Sequence, residues 1–367
     1  MADRVRSLDA MRIVAVVFVV LIHTDPLQGV GAAGNAVNFG IKTTARFAVP
    51  FFFVTSGYFF AVKTTDRDPR AYLTRRAVTI GSLYAFGLAL AAPAFLGGRV
   101  ASDAADGRSL GSAVAARAAE FLDPVELLYY GTSVSEVLWF LPALLVALAL
   151  VAGFAAVGAP RAALPAAVPF HVVGLLGTSY APLVGVPFEV RDGLFFGFFY
   201  VSLGYAIARR GWRPAPERSG TLLALVGGFA ALQFAEFALL GYLLRGAAFG
   251  SYVFAPSYGV ATAGLTLSVF LFLLSRPSLG ADTPLPSWGA YAVGIYVTHP
   301  VVLAAVRGVR DALAASGHET GAAVFWHLGA TPSVLLGALG LYLLAHRLRI
   351  VEIGGTHFPG APLLRSR

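Results

Sequence analysis

Two histidines and a few arginines are the side chains best suited to do chemistry in this otherwise apolar chain. Leu8-Asp9-Ala10-Met11-Arg12 is followed by ten apolar residues and then His23. On an α-helix, eleven steps of about 100° amount to three turns and about 20°, so the spacing predicts both side chains on one face, about 16 Å apart along the axis. An arginine within a membrane span costs on the order of 2–3 kcal/mol, so Arg12 is expected to face the bundle interior or an anion, or else to snorkel to the cytoplasmic edge. His23 suits proton acceptance near neutral pH, with a packed, hydrogen-bonded ring as the plainer reading. His299, in Tyr296-Val-Thr-His299-Pro300, is the second histidine candidate, with Tyr296 beside it; its plainer reading is a structural ring preceding Pro300.

Arg75 and Arg76 close a basic cluster that begins with Lys63, Arg67 and Arg70. Such a cluster stops translocation, or offers several donors to a phosphate. Glu236, one turn after Gln233, is an intramembrane carboxylate expected to pair with an interior arginine or histidine, or to hold a structural hydrogen bond. His171 is a weaker case of the same kind. Gly29-Val-Gly31-Ala-Ala-Gly34 fits a dinucleotide fingerprint by letter only, with no strand before it, and reads as a loop. Ser56 lacks the pattern of a nucleophile elbow and reads as a small residue that, beside Gly57, lets helices approach. No histidine pair has metal-ligand spacing with a carboxylate, so no metal is expected. The chain has no cysteine, which excludes disulfides, thiol catalysis and cysteine-held metals.

These side chains must be positioned by membrane helices. The 367 residues are 57% hydrophobic and 13% charged, where a soluble domain carries roughly a quarter charged. Lipid offers the backbone no hydrogen-bond partners, so the expected fold is all-α, a polytopic bundle of about ten transmembrane helices read as one domain over 1–367. The spans lie near 9–28, 42–62, 77–97, 135–157, 162–182, 192–209, 220–244, 254–274, 288–306 and 324–345. Arg99 to Ser133 is the one long loop, with an interfacial helix over Ser112–Leu128. The first apolar run has no small-residue cleavage pattern and is read as the first span rather than a removable signal. Lys and Arg number 17 in the loops on the side of the termini. The opposite loops hold 9, Lys42, Arg46 and Arg307 among them, so both termini are expected in the cytoplasm. The arginines fall in short clusters between apolar runs, so the formal charge of +8 is read as topology and anion binding, with no nucleic-acid partner.

In an ordered set of places the chain resembles the membrane acyltransferase 3 family. They are Ser7-Leu-Asp9-Ala-Met-Arg12 with ten residues to His23, Pro50-Phe-Phe-Phe-Val-Thr-Ser56-Gly57-Tyr and Leu138-Trp139-Phe140-Leu-Pro142. Further on come Arg191-Asp192-Gly193 through Leu203-Gly204-Tyr205, and Ile295-Tyr296-Val-Thr-His299-Pro300. The resemblance spans nearly the whole chain. It implies ten membrane helices and transfer of an acyl group, most often acetyl, from acyl-CoA to a sugar, glycan or small alcohol. It carries the family's essential histidine onto His23. The family often has a second arginine three residues after the first in the span-three stretch; here that place is Thr79.

The resulting expectation is an integral membrane enzyme of the cell membrane with acyl-CoA as donor co-substrate, no tightly bound cofactor and a hydroxyl-bearing acceptor. His23, His299 and Tyr296 are its catalytic candidates. Arg12, Arg75 and Arg76 are assigned to acyl-CoA, and Glu236, Trp139 and Arg191 to the acceptor. Two alternatives stand beside it: a proton-coupled small-molecule transporter, since intramembrane His, Glu and Arg also line such pathways, and a non-catalytic sensor of the same fold.

Overall fold

The computed structural model describes residues 5–135, 137–187, 190, 192–353 and 355–356. Helix follows helix throughout. α1 (Arg6–Thr24), α2 (Gly31–Ala45), α3 (Ala48–Lys63) and α4 (Pro69–Ala105) form the first part, and α5 (Leu110–Phe121) lies beyond them. α6 (Phe140–Ala156), α7 (Ala163–Gly177), α8 (Phe198–Arg209), α9 (Ser219–Gly241) and α10 (Val260–Ser275) continue the bundle. The short α11 (Leu285–Trp288), then α12 (Ala292–Ala315), α13 (Glu319–Val324) and α14 (Ala330–Arg347) close it, before a two-residue hairpin, β1 (Val351–Glu352) and β2 (Gly355–Thr356).

A helix runs through each of the ten expected stretches. Six helical segments are long and apolar enough to cross a membrane: Arg6–Thr24, Gly31–Lys63, Pro69–Ala105, Pro216–Arg245, Leu285–Ala315 and Glu319–Arg347. Large apolar side chains are exposed along the outside, among them Leu223, Leu232 and Leu239 on α9 and Leu336, Leu343 and Leu344 on α14. That is the pattern of a surface solvated by lipid. The protein is a helical membrane protein.

Local chemistry sets the helix ends. The α1 chain leaves the helix at Asp25, which takes a left-handed conformation (φ 48°), and Pro26 follows with no N–H to continue the ladder. α4 starts at Pro69 behind Asp68, whose carboxylate accepts from Arg70 N (3.0 Å) and Ala71 N (3.3 Å).

Two expectations are corrected here. The glycine-rich run after His23 is not simply a loop: Gly29 turns the chain at positive φ, and from Gly31 the residues form α2. Asn35 fastens that start, its Oδ1 accepting from Gly29 N and its Nδ2 donating to the Gly250 carbonyl. The long loop is shorter than expected because α4 continues to Ala105; Asp103 at its end takes both Nε and Nη2 of Arg117 at 2.8 Å, which ties α5 back to α4.

Contacts sort the helix ends into two groups. At one end Ser7 N bonds the Pro277 carbonyl, Arg213 reaches the Tyr58 hydroxyl and Arg276 donates to Ser219. At the other, Thr24 bonds Thr331, Asn38 bonds the Pro26 carbonyl and Leu27 N bonds His327. The chain thus passes back and forth between two faces, and α1 runs from the first to the second.

Candidate active site

His23 lies in the last turn of α1 and His299 in the second turn of α12, and the bundle brings their rings to 5.5 Å between centroids. Sequence spacing alone leaves this meeting open. His299 is fully buried, and its Nδ1 lies 2.6 Å from the Tyr296 carbonyl. That carbonyl is one whose α-helical donor would be the N–H of residue 300, and residue 300 is proline. A carbonyl only accepts, so Nδ1 carries the proton, and in the neutral ring Nε2 presents its lone pair. Nε2 is buried without a hydrogen-bond partner among the described residues. α12 continues through Pro300 to Ala315.

Tyr296 stands one turn before His299, its ring centroid 5.8 Å away. Its hydroxyl donates to the Val137 carbonyl and accepts from Phe140 N at 3.3 Å, which fastens α12 to the start of α6. Tyr296 also forms part of the wall of a cavity of about 590 Å³ that reaches in from the first face. Asp9 and Arg12 of α1, Ser56, Phe59 and Lys63 of α3, Tyr72, Arg76 and Thr79 of α4 and Phe140 of α6 line it. Arg12 pairs with Asp9 at 3.1 Å, and its guanidinium lies 5.3 Å from the Phe59 ring centre. Arg76 is oriented by Tyr72, with Nε donating to the hydroxyl at 2.9 Å. The polar groups Asp9, Arg12, Lys63 and Arg76 stand toward the first face, and apolar side chains, Val19, Leu144, Leu148 and Val293 among them, line the rest.

On the far side of the histidines, the second face carries an open cleft, also about 590 Å³, lined by Asp25, Gln28, Arg307, Arg310, Glu319, Trp326 and His327. Arg307 Nη2 donates to the His23 carbonyl at 3.4 Å. Asp25 is bridged by Lys42 of α2. Arg46, between α2 and α3, donates from Nη2 to the Ala255 carbonyl, and its Nε is buried without a partner among the described residues. Tyr296, His299 and His23 thus form a file of rings that starts at the wall of the basic cavity and runs toward the second face, the two histidines lining neither the cavity nor the cleft.

A family model described as an acyltransferase domain matches residues 5–346. The chain belongs to this family. No curated protein and no solved structure matches it. The protein is therefore a membrane acyltransferase.

Within the acyltransferase the expected residues separate. His23, His299 and Tyr296 stand together, and Arg12 and Arg76 share the cavity at the first face. Arg75, next to Arg76 on the helix, is exposed and does not line that cavity, because neighbours in sequence point about 100° apart. Trp139 lies behind the wall, its ring 6.4 Å from that of Phe140. Arg191 lies outside the described residues.

Glu236 takes the structural reading of its two. Among the described residues it pairs with neither arginine nor histidine; Oε1 accepts from Tyr180 OH (2.5 Å) and Val260 N (2.8 Å), and Oε2 from Ala261 N (2.9 Å). The carboxylate of one helix caps the N-terminus of the next, where the backbone donors and dipole favour negative charge. His171 stacks on Phe199 with ring centroids 4.1 Å apart. Ser56 lines the cavity, with its hydroxyl bonded to its own helix at the Phe52 carbonyl (2.8 Å).

Sequence reading missed Arg46, Lys42 and Arg307 as residues of the histidine site, since it counted them only as loop charges. A usable signal was present: Lys42 and Arg46 are one helical turn apart and immediately precede the Pro50-to-Gly57 motif.

Proposed function

We propose that the protein transfers an acyl group, acetyl in the first instance, from acyl-CoA to a hydroxyl of a carbohydrate or other small acceptor, with His23 as general base. The observation that carries this reading is the file of rings from the wall of the basic cavity at Tyr296 through His299 to His23. Arg12, Arg76 and Lys63 suit the phosphates of coenzyme A, with Arg75 adding charge outside the mouth. The apolar lining of the cavity suits the pantetheine arm and the acyl chain. The donor's thioester carbon would then meet the acceptor oxygen near the histidines.

In the proposed step His23 takes the proton as the acceptor oxygen bonds to the thioester carbon. The tetrahedral intermediate collapses with cleavage of the C–S bond, and the departing thiolate takes the proton back from His23, leaving ester and coenzyme A. His299 is a positioning residue in this reading: its ring stands 5.5 Å from that of His23 with Nε2 left without a partner among the described residues, and a shift of either ring would let Nε2 accept an N–H of His23, leaving the other nitrogen bare. Tyr296 fixes the wall between them. Trp139, Arg191 and Glu236 remain assigned to the acceptor's surroundings, Glu236 through the α10 cap it forms. The whole chain acts as one unit in the cell membrane with ten spans and both termini cytoplasmic, the first face being the cytoplasmic one.

Purified protein in detergent, given acetyl-CoA and glycan, lipid or small-alcohol fractions, should release thiol only with an acceptor fraction present. His23→Ala should lower that rate by about 10²- to 10⁴-fold while the protein keeps its thermal midpoint. Retained turnover in the variant removes His23 as base. Absence of thiol release with every fraction removes acyl-CoA as donor, as a transporter or sensor would require.

A further inference from the structure

Two guanidiniums flank the histidine pair without a carboxylate to neutralise them. Arg46 and Arg307 each donate to a backbone carbonyl, of Ala255 and His23. Neither forms an ion pair among the described residues. The nearby carboxylates are otherwise placed. Asp25, whose field reaches Arg46, is bridged by Lys42. Glu319 lines the cleft with Arg307 without bridging it. Arg310 is taken by Asp311 at 2.7 Å and lies 4.6 Å over the Trp326 ring. Lys42, one helical turn before Arg46, bridges Asp25, two residues past His23, which sets Arg46 beside the same end of α1 that Arg307 bonds.

The buried Nε–H of Arg46, without a partner among the described residues, is costly, and Arg307, exposed at the cleft, adds positive charge at the same end of α1 that opposes a further cation there. A base that takes a proton becomes a cation, and it would do so between two others. An oxyanion formed in the reaction balances that only while it lasts; the resting excess calls for a negative group that arrives before the chemistry and stays through it. Guanidinium forks match carboxylate and phosphate oxygens, and the Nε–H of Arg46 has no partner among the described residues.

We infer that the acceptor carries an anionic group, a carboxylate or a phosphate, held by Arg46 and Arg307 beside the hydroxyl that receives the acyl group. This rests on the acyl-transfer reading above and narrows its acceptor to anionic hydroxyl compounds. The cleft at the second face is the acceptor's access, and the anion offsets the positive charge that would otherwise oppose proton uptake by His23.

The test is calorimetric titration of the full chain in detergent, saturated with coenzyme A so that the basic cavity is filled, with D-glucuronate, D-glucose 6-phosphate and D-glucose. At least one anionic sugar should bind about tenfold or more tightly than glucose. Which one does so tells carboxylate from phosphate. Arg307→Gln and Arg46→Gln should each abolish the preference, and Arg161→Gln, in a remote loop, should keep it. Arg307 is exposed, so its variant serves even where Arg46→Gln fails to fold. Equal affinity for the three sugars, or a preference that survives both variants, overturns the inference. So does acceptor-dependent thiol release that uses only uncharged acceptors, which leaves acyl transfer standing; no thiol release at all defeats acyl transfer itself.

Discussion

Pro300 has no N–H to give the Tyr296 carbonyl one turn back, and His299 takes that place with its Nδ1. The ring's orientation follows from the missing N–H of the next residue. Replacing Pro300 with Ala restores a competing donor to the same carbonyl. We expect kcat to fall about fivefold, the equivalent of one net hydrogen bond of about 1 kcal/mol, with KM for acetyl-CoA unchanged. An unaltered kcat would show that the carbonyl does not orient His299. Arg12 and His23 were legible from spacing because a helix converts eleven residues into one face. Arg46 was not, because a charge between two helices reads equally as a loop residue and as a wall of the site. Glu236 was legible as a buried carboxylate needing partners, yet its partners are backbone amides, which sequence does not display.

Between elements, α3 and α8 approach until backbone meets backbone. A Cβ at Gly204 would stand 1.9 Å from the Val54 carbonyl oxygen, and one at Gly57 2.0 Å from that of Val201. No rotamer change relieves a clash with backbone, so Gly204→Ala forces the helices apart. It should cost at least about 1–3 kcal/mol, read as a fall in thermal midpoint. Gly227, mid-way along α9, has nothing within 4 Å of its Cβ position, so Gly227→Ala should hold or raise the midpoint by helix propensity alone. Equal effects of the two substitutions would deny the close approach. The small-residue motif Ser56-Gly57 announced such a contact without naming its partner, since one sequence shows which helix has a smooth face but not which helix lies on it. The same limit hid α2, whose polar and small residues lack the long apolar run that betrays a span; it packs on α1 and α9 through Asn38 and through Gln233, which donates to the Thr43 carbonyl.

At the scale of the whole molecule, the two faces differ in chemistry, and the proposed reaction requires them to face different compartments. The basic cavity lies with Lys63 and Arg76 at the first face, the cleft with Arg307 and His327 at the second, and Arg12 and Asp25, one near each, are about 20 Å apart along α1. In the proposed topology the excess of basic loop charge puts the first face inside the cell. The chain contains no cysteine, so a single introduced thiol reports its own side without background. Arg67 follows α3 at the first face and Ser316 follows α12 at the second, and both are exposed. In intact cells a membrane-impermeant maleimide should label Ser316→Cys and leave Arg67→Cys unmodified until the membrane is permeabilised. Labelling of both from outside would mean that one helix between them does not cross. Labelling of Arg67→Cys alone would invert the protein, putting the cavity assigned to acyl-CoA on the side where that donor is not made, and the proposed direction of transfer would have to be reversed with it.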